Sequence, residues 1–160
     1  MKKLHQRIFL GGTSGKISSP SYNRWREDKF IPMLVAKGIE KEYLFNPVVE
    51  NWTDEVQRLE DAIKDDPETI MFYFISNPRT PGNEVSNYSL VELTMALYDN
   101  PRRTVAVFDV SENSPDIAKA IRKIISDLKQ RFPHGFIFDS LEEAAIWLAE
   151  HFCKPHGTNL

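Results

Sequence analysis

One glutamate in this chain stands where a carboxylate can do covalent chemistry. Glu92 lies in the segment 86–96 (SNYSLVELTMA), whose leucine spacing is typical of a helix, and Val91 and Leu93 flank it. Partial burial there disfavours the charged form of the carboxylate and restricts its rotamers. A carboxylate positioned in this way can attack an electrophilic carbon and form a covalent intermediate. The alternative is a solvated helical glutamate without a catalytic role.

A glycine-rich turn, GGTSGK at 11–16, follows the first apolar run of the chain. Glycines let the backbone approach a ligand closely, and consecutive amides can hold an anion. The spacing is one residue short of the phosphate-binding loop of ATPases, and Ile17 stands where that loop has its magnesium-binding Ser or Thr. The turn is therefore either a ligand-binding loop of another kind or an ordinary strand-to-helix connection, and an ATPase is excluded.

Polar and aromatic residues follow the second apolar run. Asn46 and Asn51 can hydrogen-bond to a base or a sugar, and Trp52 can stack on a ring. The alternative is a rigid proline turn with Trp52 packed in the core. Trp25 and Tyr88 have the same two alternatives, stacking on a base or packing in the core.

The loop at 77–84 (NPRTPGNE) is long and polar, as functional loops often are. Its Arg79 is either a phosphate ligand or a solvated surface arginine. Ser86 or Asn87 can cap the following helix, which leaves free backbone amides at the helix start.

Strands and helices alternate in the apolar pattern. Strands are predicted at 7–12, 42–46, 69–76, 104–109 and 135–139. Helices are predicted at 21–37, 54–64, 87–99, 115–131 and from 141 onward. Pro32 should kink or split the first helix, Thr53 should cap the second, and Ser140 with Glu143 should form a capping box for the last.

This alternation predicts an α/β fold with a doubly wound, five-stranded parallel sheet in three α/β/α layers. The strand order 2-1-3-4-5 is the common choice for five strands. Ligands of such folds bind beyond the carboxyl ends of the strands, where the strand order reverses. The site is therefore expected near the loops after the first and third strands.

Composition restricts the class of protein. The 160 residues suit one domain, 1–160, and the net charge of −3 disfavours a nucleic-acid binder. No apolar run approaches the length of a membrane span, and residues 8–10 are too short a run for a signal peptide. With Cys153 as its one cysteine the chain has no internal disulfide, and we expect a cytoplasmic protein. His151, Cys153 and His156 match no closed zinc pattern, so neither a metal nor a cofactor is expected.

Three segments carry a family resemblance. IFLGGTSG at 8–15, FNPVVENW at 45–52 and SNYSLVELTMAL at 86–97, followed by TVAVFD at 104–109, resemble the nucleoside 2-deoxyribosyltransferase superfamily, in particular its short, divergent branch. The resemblance covers about residues 7–110 and implies a flavodoxin-like fold. It also implies that Glu92 attacks C1′ of a deoxyribose, and that residues 11–15 lie along the sugar and any 5′-phosphate.

The chain departs from the family pattern at two places. Ser86 stands where the transferases have an aspartate, and a serine there resembles the nucleoside-monophosphate N-glycosidases, in which it helps to hold the 5′-phosphate. Ser76 and Asn77 stand near the end of the third strand, where the transferases have an aspartate that helps to protonate the leaving base. Neither Ser76 nor Asn77 is a good proton donor.

The expected function is cleavage of the N-glycosidic bond of a nucleoside or nucleotide, with a covalent glycosyl intermediate on Glu92, by a deoxyribosyltransferase or a deoxynucleoside-monophosphate N-glycosidase. The alternatives are a non-catalytic nucleotide-binding or sensing module, which the departures suggest, and hydrolysis of a dinucleotide such as NAD. The expected substrate-binding residues are Gly11, Gly12, Thr13, Ser14, Gly15, Trp25, Asn46, Asn51, Trp52, Ser76, Asn77, Ser86 and Ser89. The resemblance implies a homo-oligomer, and the last helix, with Trp147, Leu148 and Phe152, is either a subunit contact or part of the core.

Overall fold

The computed structural model describes residues 7–13, 24–75, 87–110 and 115–151. Within these ranges, five strands form one parallel sheet in the order β2-β1-β3-β4-β5, as predicted. The strands are β1 (Ile8–Gly12), β2 (Leu44–Phe45), β3 (Ile70–Ile75), β4 (Thr104–Phe108) and β5 (Phe136–Phe138). The helices are α1 (Ile31–Ala36), α2 (Asp54–Asp65), α3 (Asn87–Asp99), α4 (Pro115–Arg131) and α5 (Leu141–His151).

Helices cover both faces of the sheet, because β1, β3 and β4 are apolar on both sides. On one face, Ile8, Leu10 and Phe72 pack against residues of α1 and α5. On the other face, Phe9 and Tyr73 pack in a cluster that holds buried residues of α2 and α3. The result is the expected three-layer α/β/α, flavodoxin-like fold.

The first predicted helix contains two segments of different helix type. A π-helical segment, Trp25–Phe30, runs directly into α1. Pro32 is in the first turn of α1, where proline is common because its fixed φ suits a helix. The helix therefore changes type just before Pro32, from π to α, without an interruption between the two segments. Gly38, with φ of 91°, follows the end of α1.

The carbonyl groups at the end of β1 are bound by the π-helical segment. Arg26 is 1 % exposed, and its Nε donates to Leu10 O at 2.7 Å while its Nη2 donates to Gly12 O at 2.9 Å. The Trp25 Nε1 donates to Thr13 O at 2.8 Å. These bonds fix the exit of β1 to a segment that begins more than ten residues later in the chain.

The last helix belongs to the core. Leu148 is fully buried against the sheet, and Trp147 packs on Phe136 with ring centroids 4.2 Å apart. Core packing therefore describes both residues, and Phe152 lies outside the described residues. No described helix combines the length and apolarity that crossing a bilayer requires.

Candidate active site

Glu92 lies in the second turn of α3 and forms an ion pair across to α2. Its Oε1 is 2.5 Å from the Nζ of Lys64, and the same Nζ is 2.5 Å from Oε1 of Glu60. The side chains are 15 % (Glu92), 22 % (Lys64) and 10 % (Glu60) exposed. Two carboxylates therefore share one ammonium group in a largely buried position, which we call the Glu60–Lys64–Glu92 network.

Local structure explains how α2 presents its half of this network. Thr53 caps the helix, since its hydroxyl accepts a hydrogen bond from Val56 N at 3.3 Å. Glu60 and Lys64 are four residues apart, so they lie on one side of α2. The Nζ of Lys64 is also 4.9 Å from the ring centroid of Phe9 on β1, within range of a cation–π interaction.

Electrostatics favour the protonated form of both Lys64 and Tyr73. Burial lowers the pKa of Lys64, but its hydrogen bonds to Glu60 and Glu92, together with their charges, outweigh burial and raise the pKa above its usual value. Burial raises the pKa of the Tyr73 hydroxyl, and the negative charges of Glu92 and Glu60 raise it further. Tyr73 therefore stays a neutral phenol beside the network.

A cavity of about 560 Å³ lies between α2 and α3, beside β3. Its walls include Glu92, Lys64, Tyr73 and Tyr88. The remaining lining residues are Asp61, Asp65, Asp66, Pro67, Thr69, Met71, Val91, Met95, Ala96, Asp99 and Asn100. The cavity thus places the carboxylate of Glu92 next to a space large enough for a nucleoside-sized molecule.

The glycine turn contributes to this site indirectly. Gly11 and Gly12 end β1, Thr13 follows the strand, and none of the three lines the cavity. A Cβ at Gly11 would lie 2.6 Å from the ring of Tyr73, so the missing side chain makes room for the ring that does line it. The other predicted members of these loops, Ser14, Gly15, Ser76, Asn77 and Ser86, lie outside the described residues, as do Arg79 and the loop around it.

Trp25 is a core residue, so the prediction that it contacts substrate needs correction. It is 3 % exposed and packs among Phe30, Phe72 and Phe74 on the face of the sheet opposite Glu92. A ring buried in this way offers no face to a base. Of its two alternatives, core packing is correct.

The residues after β2 do not line the cavity either. Asn46 closes its own turn, because its Oδ1 accepts from Val48 N at 3.0 Å and its Nδ2 donates to Glu27 at 3.1 Å. Asn51 is exposed. Trp52 is 49 % exposed, so the alternative that it packs in the core is wrong, and its Nε1 donates to Gln57 at 3.1 Å.

Two residues of α3 differ sharply in position. Ser89 is 4 % exposed and belongs to the buried side of the helix, outside the cavity lining. Tyr88 is 70 % exposed at the cavity wall, so core packing is the wrong alternative for it. A ring exposed to this extent remains available for stacking.

Sequence reasoning missed Glu60, Lys64 and Tyr73. The spacing of Glu60 and Lys64 is a visible pattern, but it is typical of many exposed helices and points to no site. Their partner Glu92 is 28 residues from Lys64, and only the packing of α2 beside α3 brings the two together. Tyr73 looked like any other residue of an apolar strand.

No family model, no curated protein and no solved structure matches this chain. Among the described residues, no group of three His, Cys, Asp or Glu side chains can hold a metal ion. His151 contacts Trp147 O at 2.9 Å, and Cys153 and His156 lie outside the described ranges. The function is therefore inferred from the fold and from the geometry around Glu92.

Proposed function

We propose that this protein breaks the N-glycosidic bond of a nucleoside or nucleotide, with 2′-deoxyribose as the expected sugar and Glu92 as the nucleophile. The observation that carries the proposal is the position of Glu92. Its carboxylate is largely buried, fixed by Lys64 and directed to a cavity of about 560 Å³ in a flavodoxin-like fold. The resemblance of residues 7–110 to the nucleoside 2-deoxyribosyltransferase superfamily supports the same reaction.

The reaction has two displacements. An oxygen of Glu92 attacks C1′ of the sugar, the C1′–N bond breaks, and its electron pair leaves with the base. Water or a second base then attacks C1′ and releases Glu92, with net retention at the anomeric carbon. Hydrolysis and transfer differ only in what occupies the acceptor position.

Glu60 has a role in this scheme because the glycosyl ester carries no charge. When Glu92 becomes an ester, Lys64 loses one of its two counter-ions. A largely buried ammonium without a carboxylate would be destabilised. Since Glu60 remains 2.5 Å from the Nζ, Lys64 keeps a partner throughout the reaction.

The test is release or exchange of a free base from deoxynucleosides and their monophosphates, followed by chromatography. Glu92→Gln should lower the rate at least about 10³-fold, because an amide is not a nucleophile here. Glu55→Gln removes one exposed carboxylate from the first turn of α2 and is the matched control, with an unchanged rate. Absence of turnover with every substrate, or an active Glu92→Gln variant with intact circular dichroism, would contradict the proposal.

The second candidate is a nucleotide-binding or sensing module without chemistry. One observation favours it: Lys64 and Tyr73, the proton-bearing groups beside Glu92, both hold their protons more tightly than usual. Calorimetry separates the candidates, because a sensor binds nucleotide without forming product, and Glu92→Gln changes its affinity little.

A further inference from the structure

Departure of a neutral base from C1′ needs a proton, because the nitrogen otherwise leaves as an anion. Beside Glu92, the Nζ of Lys64 is bound by two carboxylates, and the hydroxyl of Tyr73 is buried with its pKa raised. Both groups are therefore poorer acids than the same groups in water. The chemistry near Glu92 suits a base that can leave without being protonated.

The charged side chains that line the cavity are mostly negative. Five carboxylates and one ammonium are among the lining side chains, and no other lysine or arginine of the described ranges lines it. The single ammonium, Lys64, is already shared by Glu60 and Glu92, so it leaves the network with one negative charge in excess. A ligand that carries a phosphate would meet like charges here, whereas a cation would be attracted.

Three exposed side chains of α3, one aromatic and two aliphatic, also line the cavity. Tyr88 is 70 % exposed, Met95 is 59 % exposed and Val91 is 55 % exposed, and all three line the cavity. Tyrosine faces attract organic cations, and methionine adapts to flat rings. A lining that holds both carboxylates and such side chains is suited to a flat, positively charged heterocycle.

We propose that the preferred substrates are N-glycosides whose base is already cationic, such as pyridinium nucleosides and N7-alkylated purine nucleosides. This inference rests on the proposed function and specifies its substrate class. Three observations support it: the excess negative charge of the Glu60–Lys64–Glu92 network, the other four carboxylates of the lining, and the exposed ring of Tyr88 in the same lining.

The reaction balances without a general acid. Glu92 forms a bond to C1′, the C1′–N bond breaks, and its electron pair neutralises the positive nitrogen, so the base leaves neutral. Water then attacks C1′, the ester bond to Glu92 breaks, and one proton is released to solvent. Positive charge moves from the base toward the sugar in the first step, and the excess negative charge stabilises it there.

The experiment compares matched substrates that differ only in charge. An N7-methylated purine nucleoside is paired with its unmethylated parent, and each kcat/KM is divided by the spontaneous hydrolysis rate of the same compound. This division removes the intrinsic lability of the cation. We expect the cationic member to exceed its parent at least about 10-fold after the division, and to lose this advantage as salt increases.

Two variants test the origin of the preference. Asp65 and Asp99 are exposed lining residues, and replacing both by asparagine should raise KM for the cationic substrate by a larger factor than KM for the neutral parent. Glu150→Gln removes a charge from α5, on the opposite layer, and should alter neither substrate. An identical KM for the cationic substrate in the double variant and the unaltered protein would overturn the proposal.

Two outcomes distinguish this inference from the proposed function. Equal normalised turnover of neutral nucleosides, or faster turnover of monophosphates, overturns the preference for cations while the N-glycosidic activity stands. If no nucleoside is turned over, the proposed function fails. Calorimetry then compares the affinity for an N-alkylpyridinium ion with that for the neutral pyridine and shows whether the cavity prefers a cation. Selective binding of the cation, weakened in the Asp65 and Asp99 double variant, supports the cavity chemistry, and equal binding refutes it.

Discussion

The ammonium group of Lys64 is shared between the carboxylates of Glu60 and Glu92, and these two ion pairs offset the cost of burying all three charges. Glu60 is 8 % exposed, and its Oε2 has no hydrogen-bond partner among the described residues. Lys64 is therefore the main compensation for the buried charge of Glu60. A buried carboxylate that loses its partner keeps the full cost of its desolvation.

We expect Lys64→Met to lower the free energy of unfolding by about 3 kcal/mol, because it leaves two neighbouring carboxylates without a cation. Lys64→Arg keeps the charge and should lower it by less than about 1 kcal/mol. Urea denaturation followed by circular dichroism measures both values. Equal midpoints for Lys64→Met and the unaltered protein would show that the network does not contribute to stability.

At the residue scale, the sequence predicts what depends on local pattern and misses what depends on packing between helices. The flanking Val91 and Leu93 indicated a partly buried Glu92, and its side chain is 15 % exposed. Trp25 and Trp52 could each have been core or surface, because a single aromatic residue does not reveal which element covers it. Lys64 could not be predicted, since no local feature states that α2 lies beside α3.

At the scale of elements, the junction between β1 and β3 depends on a glycine. Gly12 has φ of 120°, and a Cβ on it would lie 2.1 Å from the carbonyl oxygen of Phe74. Thr13 N donates to the same oxygen at 3.1 Å. The two strands therefore approach here more closely than a side chain allows.

Gly12→Ala should destabilise the protein by at least about 3 kcal/mol, since it combines an unfavourable φ with a collision against backbone. Gly38→Ala is the matched control, because Gly38 also has a positive φ, of 91°, but nothing lies within 4 Å of its Cβ position. It should cost only the conformational part, about 1 kcal/mol. Thermal unfolding of the two variants measures the difference, and equal costs would refute the close approach of β1 and β3.

Most elements were predictable because their boundaries are marked by local chemistry. The bounds of α3 and α4 match the prediction from end to end, and the predicted cap of α2 at Thr53 is confirmed. In the predicted capping box, Ser140 accepts from Glu143 N at 3.2 Å, but Glu143 reaches the amide of Asp139 instead of that of Ser140.

Two elements differ from the prediction for tertiary reasons. The predicted strand at 42–46 pairs only at Leu44–Phe45, because residues 41–43 form a turn of 3-10 helix before it. The segment before Pro32 is a π-helix, and its Arg26 reaches the end of β1. Neither interaction is visible in the apolar pattern.

At the scale of the whole molecule, the apolar pattern predicted the alternating strands and helices, and the observed strand order is the common one for five strands. The pattern did not predict the space between helices. The general rule for this fold placed the site at the carboxyl ends of β1 and β3. The described cavity instead extends between α2 and α3 as far as Thr69 and Asn100, which flank the amino ends of β3 and β4. Gaps of this kind depend on the sizes of facing side chains, which periodicity does not report.

The protein should lose stability in alkaline solution. Lys64 and Tyr73 have pKa values above their usual 10.5 and 10.0, so the folded state retains protons that the unfolded chain releases. The contribution of these two groups to the free energy of unfolding is then fully present below about pH 10 and is lost as the pH rises further.

Urea denaturation at intervals from pH 8 to pH 11 measures this dependence, with the range set by the usual pKa values of lysine and tyrosine. Tyr73→Phe should make the decline shallower, because it removes the phenol whose pKa is raised in the folded state. A decline with the same slope in the Tyr73→Phe variant would contradict the contribution of Tyr73.

The hydrogen bonds of Trp25 and Arg26 also bear on which substitutions the end of β1 tolerates. Their acceptors are the carbonyl oxygens of Leu10, Gly12 and Thr13, which belong to the backbone. Every residue type carries a backbone carbonyl. A change of residue type at Leu10 or Thr13 therefore leaves these acceptors in place, whereas a change at Trp25 or Arg26 removes the donors, so the anchoring of this strand end is encoded outside the sheet.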